Sequence, residues 1–249
     1  MDFRVASSGP AGYGGSVRVR VGTSGFSYPE WRGGFYPEGL PAERMLGYYA
    51  ARLPAVEVNN TFYRLPSARM LASWRAQVPP DFRFAIKASQ RITHRSRLRD
   101  VAEPVGYLYR TIAELGAMLG PCLYQLPPQL RKDLPRLSAF LELLPAGGRA
   151  TIEFRHPSWF SDDVFEALRA RGAALCIAES QDLETPVVAT ARWGYLRLHK
   201  AGYDGAALTA WAERILEQPW EEAFAFFQHE EIEGPRLAAA LSALVEARP

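Results

Sequence analysis

Four stretches of the chain carry apolar and polar residues at a two-residue alternation. In Thr151-Ile152-Glu153-Phe154-Arg155, Ile152 and Phe154 face one side of a strand, and Thr151, Glu153 and Arg155 face the other. Tyr195-Leu196-Arg197-Leu198-His199, Val56-Glu57-Val58-Asn59 and Phe84-Ala85-Ile86-Lys87 repeat the arrangement. Strands with an apolar back and a charged front imply a sheet jacketed by helices, with polar faces that converge. An α/β barrel with a site at one end fits that description.

Taken in order, Met1–Ser16 is rich in Gly, Ser and Ala and has no apolar run. It reads as a flexible N-terminal leader outside the fold, not a secretory signal. Val17–Val21 is strand one, ending at Gly22-Thr23-Ser24-Gly25, and an aromatic loop with Phe26, Tyr28, Trp31, Phe35 and Tyr36 follows. Leu40–Leu53 reads as a helix with Pro41 in its first turn. Strand two is Ala55–Asn59, and Ser67 caps a short helix carrying Leu71, Trp74 and Val78. Phe82–Ala88 is strand three, followed by a basic loop from Arg91 to Arg99 and a helix with Leu108, Ile112, Leu115 and Leu119 on one face. Strand four is Cys122–Leu126, closed by Pro127-Pro128, and Leu137, Phe140, Leu141 and Leu144 mark the next helix. After strand five, Ser161 or Asp162 caps a helix that stops at Gly172. Ala174–Glu179 is strand six. Ser180–Arg192 contains Pro186 and no amphipathic pattern, so the sixth helix is expected to be reduced or missing. Tyr195–His199 and Ala223–Gln228 are strands seven and eight, each followed by a helix. Alternation of this kind predicts a single (β/α)8 TIM-type barrel domain over residues 17–249.

The 249 residues, 48% hydrophobic and 22% charged, suit one such domain. A net charge of +2 demands no polyanionic partner, though it allows a local basic patch. Cys122 and Cys176 lie in apolar strand-like runs and read as buried, reduced thiols, which fits a cytoplasmic protein. No apolar run approaches the roughly 18 residues of a membrane span.

Chemistry in this architecture belongs at the C-terminal ends of the strands. Strand parity collects Glu57, Asn59, Lys87, Gln125, Glu153, Arg155, Arg197 and His199 there, with Glu179 and His229 as further candidates. The loops add Ser24, Ser27, Tyr28, Trp31, Tyr63, His94 and His156. Counting inward positions, Arg18, Arg20, Arg83, Lys87, Arg155 and Arg197 oppose Glu57, Glu153 and Glu179. With Arg18, Arg20 and Arg83 assigned to a wet lower rim, the upper rim is balanced until Arg91, His94 and His156 are added. An unpaired charge is costly to bury, so this balance favours an anionic or strongly polar ligand. Each group also has a structural reading. In that reading Glu153 is only an ion-pair partner of Arg155 or Arg197, Lys87 a partner of Glu57 or Glu153, His199 a satisfied core imidazole, and Tyr28 with Trp31 a plug. A divalent metal held by Glu57, Glu153, Glu179, His199 and His229 is opposed by Lys87, Arg155 and Arg197 standing among them, and no cofactor is predicted. Walker, dinucleotide-binding and His-Glu-x-x-His motifs are lacking.

The ordered blocks Gly22-Thr-Ser-Gly-Phe-Ser-Tyr28 with Trp31 and Phe35-Tyr36-Pro37, Glu57-Val-Asn-Asn-Thr-Phe-Tyr63, and Phe84-Ala-Ile-Lys87 with Ile92-Thr-His94 carry a resemblance. Gln125-Leu-Pro-Pro128, Glu153-Phe-Arg-His-Pro-Ser-Trp159 and Tyr195-Leu-Arg-Leu-His199 extend it over nearly all of 17–249. Together they resemble the YecE-like family of uncharacterised proteins, domain of unknown function 72. The resemblance implies a TIM-type barrel and no established activity, with a loose grouping beside sugar isomerases and metal-dependent endonuclease barrels. It singles out Glu57, Asn59, Tyr63, Lys87, His94, Gln125, Glu153, Arg155, Arg197 and His199. Where that family carries paired asparagines after strand eight, this chain has Gln228-His229.

Two functions follow as expectations. The first is an enzyme acting on a small polar or anionic substrate, carbohydrate-like, phosphorylated or carboxylated. Glu153 would be its acid or base, Lys87 its proton donor or electrophile and His199 its proton shuttle. Arg155 and Arg197 would clamp the anion, and Tyr28, Trp31 and Tyr63 would close over the ligand. The second is a nucleic-acid-binding barrel using the Arg91–Arg99 loop. A non-catalytic small-molecule sensor is compatible with the same residues.

Overall fold

Parallel pairing in chain order joins β1 (Arg18–Ser24), β2 (Ala55–Val58), β3 (Arg83–Lys87), β4 (Leu119–Gln125), β5 (Ala150–Glu153), β6 (Ala174–Glu179), β7 (Trp193–Leu198) and β8 (Glu222–Phe227). β8 pairs back onto β1, so the sheet closes into an eight-stranded barrel. The computed structural model describes residues 17–180, 183–228 and 233–247; the leader and His229 lie outside the described residues. The helical jacket is α1 (Met45–Ala50), α2 (Ala68–Gln77), α3 (Ala102–Ile112), α4 (Leu134–Glu142), α5 (Asp162–Ala170), α6 (Gly205–Leu216) and α7 (Glu233–Glu246). This is the TIM-type α/β barrel that the alternation predicts.

Parity divides the core into two shells. Val56, Val58, Ile86, Ile152, Phe154, Leu196 and Leu198 belong to the outer shell, which packs strands against helices. Ala55, Ala85, Leu123, Cys176, Trp193, Tyr195, Phe224 and Phe226 fill the lumen. The barrel is therefore solid through its middle. Its lower end is closed by ions. The Arg20 guanidinium, 2% exposed, donates to Glu222 at 2.5 Å and to Asp81 at 2.9 Å, and Arg149 also reaches Glu222. Arg18 and Arg83 approach Asp81 at 3.7 and 3.8 Å, so all three arginines assigned to the lower rim are there.

Several boundaries differ from the sequence reading, each for a physical reason. β1 runs on to Ser24, because Gly22 acts within the strand as a point of close approach. A Cβ there would lie 2.0 Å from the carbonyl oxygen of Ala55 on β2. β4 begins at Leu119 although Pro121 lacks an N–H. The register between β3 and β4 shifts at this point, and the shift places the proline where no ladder bond is lost. Leu119 thus belongs to a strand, since the turn after α3 breaks at Gly116, φ 54°. The helix expected over Leu40–Leu53 is shorter, with a 3-10 turn at Ala42–Arg44 before α1. The basic loop contains a π-helical turn at Arg91–Arg95, and Arg97, Leu98 and Asp100 follow in the left-handed region. Residues 183–192 contain no helix, as Pro186 suggests. Their Thr190 hydroxyl donates to Ala173 and accepts from the Leu175 N–H, which ties this segment to the start of β6.

Candidate functional site

At the upper end of the lumen, Glu57 of β2 and Arg197 of β7 meet across the barrel. Both are completely enclosed, with exposures of 0% and 1%. Arg197 Nε donates to Glu57 Oε2 at 2.9 Å and Nη2 to Oε1 at 3.0 Å, while Nη1 donates to Glu153 Oε2 at 2.7 Å. Its remaining reach goes to Gln228 Oε1 at 3.0 Å. One guanidinium therefore holds two buried carboxylates in a planar fork, a geometry that lysine could not supply.

The two carboxylates are further saturated by donors. Ser24 and Tyr195 donate to Glu57 at 2.6 and 2.7 Å. Gln125 Nε2 lies 2.9 and 3.0 Å from the two Glu153 oxygens, and Arg155 adds a longer contact of 3.4 Å. Burial, the largest single influence, would raise both carboxyl pKa values, but the Arg197 charge together with the surrounding donors and cations outweighs it and holds both below the ordinary range, Glu153 at about 2. A carboxylate so stabilised is a weak proton acceptor. The geometry thus favours the ion-pair reading of Glu153 over the general-base reading.

Lys87, at the end of β3, is placed differently. Its ammonium lies over the Phe62 ring, 4.7 Å from the centroid, and makes no ion pair among the described residues. The expected structural partners, Glu57 and Glu153, are both taken by Arg197. Partial burial, then the Arg197 charge, depress the Lys87 pKa. Two residues after β3 the chain turns, and Thr61 Oγ1 donates to the Lys87 carbonyl at 2.7 Å, fixing the strand end.

One layer above Glu57 and Arg197, at the same parity, stand Asn59 and His199. Each carries a buried polar atom, Asn59 Oδ1 and His199 Nε2, with no hydrogen-bond partner among the described residues. Burial and the neighbouring Arg197 push His199 down to about 4, so its imidazole is neutral near pH 7. His94 shares its Nδ1 with the Thr93 hydroxyl at 2.9 Å and packs edge-on to Phe62. Burial, then Lys87, lower its pKa.

Other predicted residues lie elsewhere. Trp31 is 0% exposed and packs with Phe35 and Tyr36 against the α1 side, so it cannot close over a ligand. Tyr63 is 75% exposed outside the mouth. Tyr28 donates to the Ser24 carbonyl at 2.7 Å, and with Asn59 it lines a cavity of about 1090 Å³ on the β1–β3 side. Glu179 points out of the barrel, accepting from Tyr203 at 2.6 Å and Trp211 Nε1 at 2.9 Å. With Glu179 removed from the count, Lys87, Arg155 and Arg197 face Glu57 and Glu153, an excess of one positive charge among the described residues of the mouth. Among the described residues no three Asp, Glu, His or Cys side chains gather into a metal-ligand set. No described helix is long and apolar enough to cross a membrane. Sequence reasoning missed Tyr195, Thr61 and Phe62. Tyr195 shares inward parity with Arg197, and this signal was available in the alternation.

Fold and mouth together define a TIM-type barrel whose upper end is built on a buried Glu–Arg–Glu cluster. Residues 20–249 match the family described as "Protein of unknown function DUF72", and the chain belongs to that family. Its relatives include UPF0759 protein YecE of Escherichia coli, 31% identical over 155 residues, a match covering 62% of this chain and 54% of YecE. UPF0759 protein YunF of Bacillus subtilis is 27% identical over 139 residues, 53% of this chain and 49% of YunF. The matched region thus spans about half the length of these curated relatives. Among solved structures, a DUF72 family protein from Thermotoga maritima superposes with a TM-score of 0.81 at 27% identity, covering 92% of this chain and 99% of that one. A methyltransferase from Methanosarcina mazei, 11% identical with a TM-score of 0.53 and covering 93% of this chain and 94% of that one, shares the fold alone.

Proposed function

We propose that the protein is an enzyme that binds a small anionic substrate at the barrel mouth, with Lys87 as its central reactive group. The observation that carries this reading is the contrast between Lys87 and its neighbours. Glu57, Glu153 and Arg197 satisfy one another, whereas the Lys87 ammonium is half-buried and makes no ion pair among the described residues. An oxyanion beside it would cancel the excess charge, and the partly exposed Arg155 guanidinium would clamp it. A lysine with a depressed pKa exchanges its proton nearer neutrality than an ordinary one and suits general acid or nucleophilic chemistry. His199, a neutral imidazole whose Nε2 has no partner among the described residues, is the group available to move a proton beside it. Glu153 and Glu57 hold the arginine and set the field, and take no proton.

Binding an anion next to Lys87 must raise its pKa, so binding takes up protons above neutrality. Calorimetric titration with inorganic phosphate at pH 8, in two buffers of different ionisation enthalpy, measures that uptake. Proton uptake in the wild type and its loss, with weakened binding, in Lys87→Met are expected. Equal binding by the variant would overturn the reading.

The nucleic-acid reading keeps one specific support: Arg91, Arg95, Arg97 and Arg99 are exposed and make no ion pair among the described residues. It requires affinity for DNA or RNA that falls steeply with salt, and binding that is absent or flat with salt would remove it.

A further inference from the structure

The cavity beside the mouth is a second compartment of different chemistry, sharing Asn59 and Thr61 with the strand ends of the mouth. Its walls come from the loop after β1, from Asn59–Met70 after β2, from Ser89 and Arg91 after β3, and from the start of α3. At about 1090 Å³ it has the size of a small-molecule site. Of the four large apolar side chains that stand strongly exposed among the described residues, Met70 (48%) and Tyr107 (53%) line this cavity, and Tyr63 (75%) lies on the wall segment between Asn60 and Arg64. Only Leu143 is elsewhere. Behind them, half-buried Trp74 stacks on Phe84 and meets Phe26 edge-on, which gives the compartment a rigid aromatic floor. Concentrated exposure of this sort marks a surface shaped for an apolar group.

The polar edge is equally uneven. Arg64 and Arg91 line the cavity with Glu103 as the one acidic side chain, and none of the three makes an ion pair among the described residues. Asn59 Oδ1, buried and without a hydrogen-bond partner among the described residues, marks the seam with the mouth. The wall segment also joins the compartments directly. Thr61 bonds the Lys87 carbonyl and the Phe62 ring lies under the Lys87 ammonium, while Arg64, two residues on, faces the cavity.

We infer that the substrate has two parts: an anionic head at Lys87 and a flat aromatic body seated between Met70, Tyr107 and Trp74, with Arg64 and Arg91 along its edge. This inference rests on the anion-binding reading above and adds the class of molecule. The thioether of Met70 and the Tyr107 ring match an aromatic face better than a hydroxylated one. A purely carbohydrate body would leave them in contact with water or unmatched hydroxyls.

Four phosphate monoesters serve as probes in calorimetric titrations of the whole chain: methyl, phenyl, 1-naphthyl and octyl phosphate. Naphthyl phosphate should bind at least about tenfold more tightly than methyl phosphate, and more tightly than octyl phosphate. The double variant Met70→Ser/Tyr107→Ser, at exposed positions, should erase the aromatic gain and leave methyl phosphate affinity unchanged. Equal affinity for methyl and naphthyl phosphate, an equal gain from octyl phosphate, or a gain retained in the double variant would each overturn the inference. Lys87→Met separates the two proposals. Methyl phosphate binding that ignores this change removes the mouth reading, whereas Lys87-dependent binding with no aromatic gain removes only the two-part substrate.

Discussion

Replacing Arg197 with methionine tests whether the Glu–Arg–Glu cluster is the rigid base of the site. The substitution keeps an unbranched, shorter and uncharged side chain in the lumen but leaves Glu57 and Glu153 buried without their shared cation. Removing one partner of a buried ion pair costs roughly 3–5 kcal/mol, and here two carboxylates are affected. The cluster supplies a consistent scale, since the gap between 4.5 and about 2 for Glu153 corresponds to about 3 kcal/mol. The pH dependence should also reverse. In the wild type, the depressed Glu57 and Glu153 pKa values contribute stability that is present above the ordinary carboxylate pKa and is lost as pH falls through the folded values. Without Arg197, burial acts on Glu57 opposed by the neutral donors Ser24 and Tyr195 and by the Lys87 charge, which makes no ion pair with it, so its folded pKa rises above the ordinary one. A raised carboxyl pKa favours the folded state at low pH and penalises it as pH climbs. The variant should therefore lose most stability near pH 8 and recover part of the loss near pH 5. Urea unfolding followed by circular dichroism and by tryptophan fluorescence at the two pH values measures both effects. A variant within about 1 kcal/mol of wild type at pH 8, or a loss equal at both pH values, would refute the cluster's assigned electrostatics.

The His199 imidazole should titrate near 4, so NMR that finds it protonated at pH 6 would contradict its neutral assignment. Trp31→Ala should cost roughly 3–5 kcal/mol through loss of a fully buried ring yet leave phosphate affinity unchanged in the fraction that folds; a stable variant with weakened binding would return Trp31 to the site. Gly22→Ala should prevent closure between β1 and β2 and yield insoluble or unfolded protein, whereas a normally cooperative melt would show that the strands can move apart. Cys122 and Cys176 are buried, with the Cys122 thiol pushed up to about 12 by burial, so both should resist a thiol reagent until denaturant is added; rapid native labelling would place them at the surface.

The inward set was legible because a two-residue period leaves no ambiguity once one face is known to be apolar. Glu57, Lys87, Glu153 and Arg197 all point as their alternation requires. Partner choice within that set was not legible. Which carboxylate Arg197 takes depends on a diameter of the barrel, since Glu57 and Arg197 are 140 positions apart in the chain. Lys87 could be read as a partner of Glu57 or Glu153 only while that geometry was unknown. Glu179 misled for another reason. β6 carries Ala174, Cys176 and Ala178 inward, all small or apolar, so its charged end was read onto the wrong face. Trp31 and Tyr63 sit in loops, where no period fixes direction. Pro121 hid the start of β4, because the extra β4 residue that accommodates it shows only in the pairing with β3.

The plug formed by Arg20, Asp81 and Glu222 at the lower end, with Trp193, Phe224 and Phe226 above it, makes the barrel, as far as its described residues go, a cup with no second door. Whatever enters past Lys87 must leave by the same rim. Arrival and departure therefore compete for one doorway, and a bulky group lodged in the side compartment would hold up both.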